Sequence, residues 1–307
     1  MRVRFACLVV AAALVAWTLP SAAAPQAASG LTVSLRPTPE PLAPGSVGIV
    51  VVEAPAAVAS LTGSVLGAPI HFWPVAPGRW SGLIGIGLET APGTYDVTVH
   101  GTAAAGEAID GRMRITVAAR RFETRRLRVS QKFVTPPAAE TARIQQDAAL
   151  LARVFGAVSP ERLWSGPFAA PVPGAATSSF GRLSVLNGQP NGRHQGADFR
   201  AATGTPILAP NGGRVVVAQE LYFAGNTVIL DHGLGLYSLF AHLSSTNVSV
   251  GATVARGDRL GEAGATGRVT GPHLHWAVRV GALSIDPLLL MTASATLPER
   301  HDILSTR

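Results

Sequence analysis

The chain has 307 residues, 47% of them hydrophobic and 14% charged, and 25 basic against 18 acidic residues give a formal net charge of +7. This length suits about two domains, and so apolar a chain with so few charges is not a disordered protein. The single cysteine excludes a small fold built on disulfides. The positive balance is compatible with any anionic polymer and selects none of them.

The N-terminus has the pattern of an export signal. Arg2 and Arg4 precede an uncharged apolar run from Phe5 to Leu19, and small residues follow at 21–24. A charged start, a short apolar run and small residues are typical of a signal peptide. The sequence therefore predicts a signal peptide over residues 1–24 and export to the periplasm or cell envelope, with the extracellular space as an alternative. An uncleaved membrane anchor is the competing interpretation.

Residues 25–118 have the pattern of short strands separated by turns. Gly48–Val52 is an apolar run, 94–100 alternates with period two, and Pro-Gly pairs at 44–45, 77–78 and 92–93 mark turns. Several strands at this spacing predict an immunoglobulin-like β-sandwich. We interpret it as a packing or targeting module, for which a membrane or an envelope protein is a candidate partner.

Residues 119–170 form a basic segment followed by a helix. Six positive charges lie between Arg120 and Lys132, without the interleaved aromatic residues that stack on bases. We therefore expect a solvated linker strand and no nucleic-acid partner, with weak attraction to an acidic cell wall as an alternative. A helix is predicted after Pro136-Pro137, ending at Gly156, with apolar residues on one face.

The remaining sequence is again β-rich. Strand candidates at 213–217, 227–231, 236–242 and 275–280 alternate with glycine-rich turns. The sequence predicts a domain over 171–290, followed by a polar tail over 291–307. The chain as a whole is therefore expected to be mainly β, and its oligomeric state is left open.

Histidines and an aspartate of the last domain have the spacing of a metal site. His194 and Asp198 form an HxxxD pair, His273 and His275 form an HxH pair, and His242 stands between them. Residues i and i+2 of a strand point to the same face, so the HxH imidazoles can converge on one point. Such donors, with no thiol among them, suit a catalytic zinc ion with three protein ligands. The surplus histidines could handle protons.

A series of short motifs in order extends this pattern. They are Ser179-Phe180-Gly181-Arg182, His194-Gln195-Gly196-Ala197-Asp198-Phe199, Gly204-Thr205-Pro206-Ile207, Gly225-Asn226-Thr227-Val228, Asp231-His232-Gly233, Tyr237-Ser238-Leu239-Phe240-Ala241-His242-Leu243 and Gly267-Arg268-Val269-Thr270-Gly271-Pro272-His273-Leu274-His275-Trp276. In these motifs residues 171–290 resemble the M23 family of zinc metallopeptidases, the lysostaphin-like or LytM-type peptidoglycan endopeptidases.

The resemblance implies a role for each residue. One Zn²⁺ per chain would be held by His194, Asp198 and His275, while His242 and His273 would be catalytic, one of them as general base. The substrate would be a peptide bond in a stem or cross-link of bacterial peptidoglycan. The fold implied is an open antiparallel sheet with the site in a groove between loops.

One position departs from the family. Some members have a tyrosine about six residues before the first ligand, where this chain has Gly188 and no tyrosine occurs between Pro171 and His194. Asn187 is a candidate substitute. Two alternatives to a wall endopeptidase are carried forward: a catalytically silent or self-inhibited wall-binding protein that activates another hydrolase, and a peptidase whose target is a protein.

Overall fold

A computed structural model of the chain describes residues 30–36, 41–54, 58–103, 106–178, 180–295 and 297. The predicted signal peptide and the end of the predicted tail lie outside the described residues. No helix in these described ranges is long and apolar enough to cross a bilayer.

The N-terminal unit is built from seven antiparallel strands. They are β1 (Thr32–Leu35), β2 (Val47–Glu53), β3 (Val58–Val65), β4 (Ala68–Ala76), β5 (Arg79–Gly85), β6 (Gly93–Ala103) and β7 (Ala108–Val117), in the spatial order β1-β2-β5-β4-β3-β6-β7. The first half of β4 pairs with β3 and its second half with β5. The sheet curls until Leu31 N–H donates to the Asp110 carbonyl at 3.3 Å, around an apolar core of its own. The mainly-β prediction is confirmed, and the narrower immunoglobulin-like description stays a prediction.

The basic segment forms a strand that pairs with a strand of residues 171–290, whereas the sequence predicted a solvated linker strand. Strand β8 (Thr124–Leu127) pairs in parallel with β10 (Leu183–Leu186), which in turn pairs with β11 (Gln189–Arg193). Between β8 and β10 the chain contains β9 (Ala176–Ser178) and α1 (Thr141–Gly156), after two 3₁₀ turns at 131–133 and 138–140. Helix α1 follows Pro136-Pro137 and ends at Gly156, where the sequence predicted its end. It packs Phe155 against Tyr237.

The C-terminal unit is a ten-stranded sheet, and its antiparallel pairing confirms the expected antiparallel sheet. Its central order is β17-β14-β15-β16-β19-β12-β9, while β18 pairs with β13 and β16, and β20 pairs with β19. The bounds are β12 (Gly196–Phe199), β13 (Pro206–Leu208), β14 (Gly213–Leu221), β15 (Gly225–Gly233), β16 (Leu236–Thr246), β17 (Thr253–Val254), β18 (Arg259–Ala263), β19 (Leu274–Val280) and β20 (Leu283–Ile285). Helix α2 (Pro287–Ser294) crosses the predicted tail boundary at 290.

A second hydrophobic core, separate from that of the N-terminal unit, joins the two units. Trp73 of β4 meets Trp164 edge to face, with ring centroids 5.2 Å apart. Val47 and Ile49 of β2 belong to the same buried cluster as Trp276 of β19. The N-terminal unit is therefore fused to the C-terminal sheet through side-chain packing, in contrast to a module tethered by a solvated linker.

Candidate metal site

Three predicted ligands meet at the junction of two strands. Asp198 on β12 lies directly opposite His275 on β19 in the antiparallel register, and His194 precedes β12. Asp198 Oδ1 lies 2.9 Å from His194 Nε2 and 2.8 Å from His275 Nδ1. Gly196 permits this approach, because a Cβ there would lie 2.5 Å from the Trp276 carbonyl oxygen. The ligand atoms of the three residues all lie within 4.8 Å of one another, a group able to hold a metal ion.

The other two predicted histidines stand beside this cluster. The rings of His242 and His273 lie 4.9 Å apart, and His242 lies 6.0 Å from the ring of His275. His242 Nδ1 donates to the Thr266 carbonyl at 2.9 Å, and His273 Nδ1 donates to the Gly271 carbonyl at 2.8 Å. A neutral imidazole that donates through Nδ1 carries its lone pair on Nε2. Both rings are thereby fixed in the tautomer whose Nε2 can accept a proton.

The backbone at His242 is strained. Its φ of 67° lies in the left-handed region, which non-glycine residues rarely adopt. The His242 N–H donates to the Ala224 carbonyl at 2.8 Å and holds this conformation. Strain of this kind clusters at functional sites, where the surrounding structure enforces a side-chain direction.

Burial and mutual contacts set the charges of the cluster. Burial raises the pKa of the Asp198 carboxyl, but hydrogen bonds and charges of His194 and His275 lower it more, to well below its usual range. Burial, together with the charges of His275 and His273, lowers the pKa of His242 to about 3. Burial also lowers the pKa of His275. At neutral pH the site therefore combines an ionised carboxylate with neutral imidazoles at His242 and His275, the protonation states that metal binding and proton abstraction require.

The cluster opens into a cavity of about 420 Å³. Its lining includes the paired residues Leu239 of β16 and Ala277 of β19, together with Leu151 and Phe155 of α1. Asn187, the candidate substitute for the family tyrosine, does not line it; its side chain hydrogen-bonds the backbone of Val129. The wall on the β8 side carries a residue that the sequence did not single out, Arg125.

Arg125 reaches the metal ligands from the basic segment. Its Nη1 donates to Asp198 Oδ2 at 3.3 Å and its Nε to Ser184 Oγ at 3.2 Å, and its side chain is 24% exposed. The cluster of positive charges between 120 and 132 was the only feature of the sequence that pointed to this segment. It does not indicate which arginine contacts Asp198. That choice depends on the pairing of β8 with β10, 59 residues away in sequence at Ser184.

Comparison with known proteins gives a family. Residues 192–287 match the model of peptidase family M23. A crystal structure of a putative peptidase M23 from Pseudomonas aeruginosa is 31% identical, with a TM-score of 0.64, over 83% of this chain and 96% of that one. The chain belongs to peptidase family M23. The match to the Pseudomonas structure extends beyond the family domain.

Curated relatives match over a shorter span. Peptidoglycan DD-endopeptidase ShyA of Vibrio cholerae is 44% identical over 117 residues, which are 37% of this chain and 27% of that protein. The cell division protein DipM of Caulobacter vibrioides is 38% identical over 133 residues, which are 41% of this chain and 21% of that protein. The chain thus spans about a quarter of the length of these relatives.

Proposed function

We propose that this M23 protein is a zinc-dependent endopeptidase that hydrolyses peptide bonds in the stems or cross-links of bacterial peptidoglycan. The observation that carries the proposal is the convergence of His194, Asp198 and His275 on one point, with two further imidazoles beside it. Family membership and the relative called a peptidoglycan DD-endopeptidase support the substrate class.

The donor set fits one zinc ion. Zinc takes nitrogen and oxygen donors at about 2.0–2.1 Å in a tetrahedral arrangement, which separates neighbouring donors by about 3.3 Å. The three donor pairs here are 2.8–3.0 Å apart, so the site has to open by only a few tenths of an ångström. A zinc ion held there supplies Lewis-acid polarisation of the peptide carbonyl and activation of a water molecule.

The remaining imidazoles supply proton transfer and hydrogen bonds. We assign the general base to His242 or His273, because each has an Nε2 lone pair and an Nδ1 held by a carbonyl. After accepting a proton, the same ring can return it to the leaving amine. The other imidazole can orient the substrate or, when protonated, donate a hydrogen bond to the developing oxyanion.

The test is mass spectrometry of peptidoglycan digested by the protein, with metal analysis of every variant. The wild type should release muropeptides with a cleaved cross-link or stem and contain bound zinc. His242→Ala should release none while its zinc content is retained, whereas His194→Ala should lose zinc and activity together. Chelation should stop the digestion, and added zinc should restore it. Hydrolysis at the wild-type rate by zinc-free protein would contradict the proposal.

A second candidate is a self-inhibited or catalytically silent wall-binding protein that activates another hydrolase. It is favoured by one observation, the contact of Arg125 from β8 with the ligand Asp198. If zinc-loaded wild-type protein binds peptidoglycan without cleaving it but raises the rate of a partner hydrolase, this candidate replaces the first. Cleavage of proteins in preference to peptidoglycan would favour the third alternative, a protein-directed peptidase.

We extend the proposal to location and organisation. Residues 1–24 would be a signal peptide that directs the chain to the periplasm or cell envelope, where peptidoglycan lies. Residues 25–118 would be an immunoglobulin-like module that contacts a membrane or envelope protein, 119–170 a basic connection and helix, 171–290 the peptidase domain and 291–307 a tail. N-terminal sequencing of the exported protein tests the first cleavage.

A further inference from the structure

The cavity beside the metal cluster has an excess of positive charge. Its described lining includes three arginines, Arg125, Arg268 and Arg279, and a single carboxylate, Asp198. Arg279 lies over the ring of Phe155, whereas Arg125 and Arg268 also line a second, smaller cavity together with His194 and His275. A bound metal ion would add two further positive charges. The chemistry of the cavity therefore selects an anionic ligand.

Contacts on two sides fix the direction of Arg125. Strand β8 places it opposite Ser184 of β10, whose hydroxyl accepts from Arg125 Nε. Its Nη1 donates to Asp198 Oδ2, while Oδ1 of the same carboxylate faces the two histidine ligands. The guanidinium is thereby held at the edge of the metal cluster.

Arg268 approaches the same space from the loop before His273. Its Nη1 donates to Asn191 Oδ1 at 3.3 Å, and its guanidinium lies 4.8 Å from the ring centroid of Phe223. Burial, and then the charge of Arg125, lowers the pKa of Arg268. The proximity of two like charges is unfavourable by itself. A ligand anion that contacts both groups would remove this repulsion.

We propose that Arg125 and Arg268 form a subsite that binds a carboxylate of the peptide substrate, beside the bond that is cleaved. The inference rests on the proposed function and deepens it by defining the substrate. Two carboxylates of a wall peptide are candidates, the C-terminal carboxylate and the carboxylate on the side chain of a diamino acid. Guanidinium groups suit either source, because they bind carboxylates through paired N–H donors.

The subsite makes a specificity prediction. The two arginines stabilise a bound substrate only if its carboxylate is free. Amidation of that carboxylate should therefore lower kcat/KM by about 10- to 100-fold, the range for hydrogen bonds between charged groups. Most of the loss should appear in KM, because the contact is made in the bound substrate as well as in the transition state.

The experiment compares one wall peptide in three forms: with both carboxylates free, with the C-terminal carboxylate amidated, and with the side-chain carboxylate amidated. The zinc-loaded full-length protein is assayed for kcat and KM beside Arg268→Gln, Arg268→Lys and Arg125→Gln, with zinc content measured for each. Arg256→Gln is the matched control, since Arg256 is exposed, donates to the Pro167 carbonyl and lies outside the cavity lining. Calorimetric binding of the same peptides, with the scissile nitrogen methylated, gives a readout independent of turnover.

The wild type and the Arg256 variant should discriminate against one amidated form, which identifies the carboxylate. In Arg268→Gln the free and amidated forms should bind and react within about twofold of each other, with zinc content unchanged. Wild-type discrimination retained in Arg268→Gln and Arg125→Gln would overturn the subsite. The subsite would also be overturned if Arg125→Gln cleaved all three peptide forms faster and still discriminated between them as the wild type does. That result would mean that Arg125 obstructs the groove and does not bind the carboxylate. If no peptide is cleaved, the proposed function fails, and the binding comparison still decides the subsite.

Discussion

Replacing Trp73 with alanine should destabilise both units of the protein together. The side chain is 4% exposed, packs edge to face on Trp164 and lies in the cluster that continues to the C-terminal sheet. Its indole N–H has no hydrogen-bond partner among the described residues, so its removal costs no hydrogen bond. It does remove ring packing and the contact with the Arg162 guanidinium, which lies 5.3 Å from the ring centroid. A buried Trp→Ala change together with a lost aromatic pair lowers the free energy of unfolding by about 4 kcal/mol.

The assay is hydrogen exchange by mass spectrometry in increasing denaturant, following peptides from β2 and from β16. In the wild type both peptides should report the same unfolding transition, because they share a core. Trp73→Ala should move both to lower denaturant concentration. The matched control is Trp80→Ala, since Trp80 lies on the adjacent strand, is partly buried and packs on the separate N-terminal core. This control should destabilise the protein less.

The reasoning would be refuted if the β16 peptide of Trp73→Ala exchanged at the wild-type denaturant concentration. That result would mean that the N-terminal unit unfolds alone and that the shared cluster does not couple the two units.

Other predictions concern buried polar groups. Burial lowers the pKa of His232 from 6.5 to about 4, so the unfolded state binds the extra proton first. The contribution of His232 to the free energy of unfolding should fall by about 3 kcal/mol as the pH drops from 6.5 to 4. It is measured by denaturant unfolding as the difference between the wild type and His232→Gln, which lacks this contribution. Asp286 accepts from the Leu288 N–H at the start of α2 and pairs with Arg120; Asp286→Ala should lower the free energy of unfolding by about 1–2 kcal/mol, and Asp286→Asn, which keeps a capping oxygen, by less. Tyr237 donates to the Ala157 carbonyl at 2.7 Å; Tyr237→Phe should lower the free energy of unfolding by about 1–2 kcal/mol, and exchange near the end of α1 should rise.

Two residue pairs of the candidate site could be predicted because the spacing within each pair is short. His273 and His275 are separated by one strand residue, and Leu274 between them is fully buried on the opposite face. Asp198 likewise follows His194 by four residues. Patterns of this length are visible in the sequence itself. The contact between the two pairs depends instead on the pairing of β12 with β19, which places Asp198 opposite His275, 77 residues away in sequence.

The groove wall could not be predicted in the same way. The turn of Arg125 toward Asp198 depends on the parallel register of β8 with β10, and register between distant strands is set by packing that no short pattern encodes. Arg126 beside it has the same charge but is exposed and does not line the cavity. The sequence therefore indicated a basic strand but not its inward residue.

The packing of the two units against each other was indicated in the sequence only by the apolar run of β2. Strand β2 is buried in six consecutive residues, Val47–Val52, and its side chains divide between two cores: Val47 and Ile49 face the C-terminal sheet, and Val50 and Val52 face the N-terminal core. An unbroken apolar strand indicates burial on both faces. The run at Gly48–Val52 predicted a buried strand, but the layer that covers its outer face is far away in sequence.

The position of β8 bears on how this domain could be exchanged between proteins. A gene fusion that carries only residues 192–287, the span that matches the family, would transfer all five histidine and aspartate side chains of the site. It would leave behind β8 and β10, and with them the wall that carries Arg125. Such a chimera would keep the chemistry but lose one side of its groove. Recombination that preserves the groove of this protein has to move the segment from 119 onward as one block.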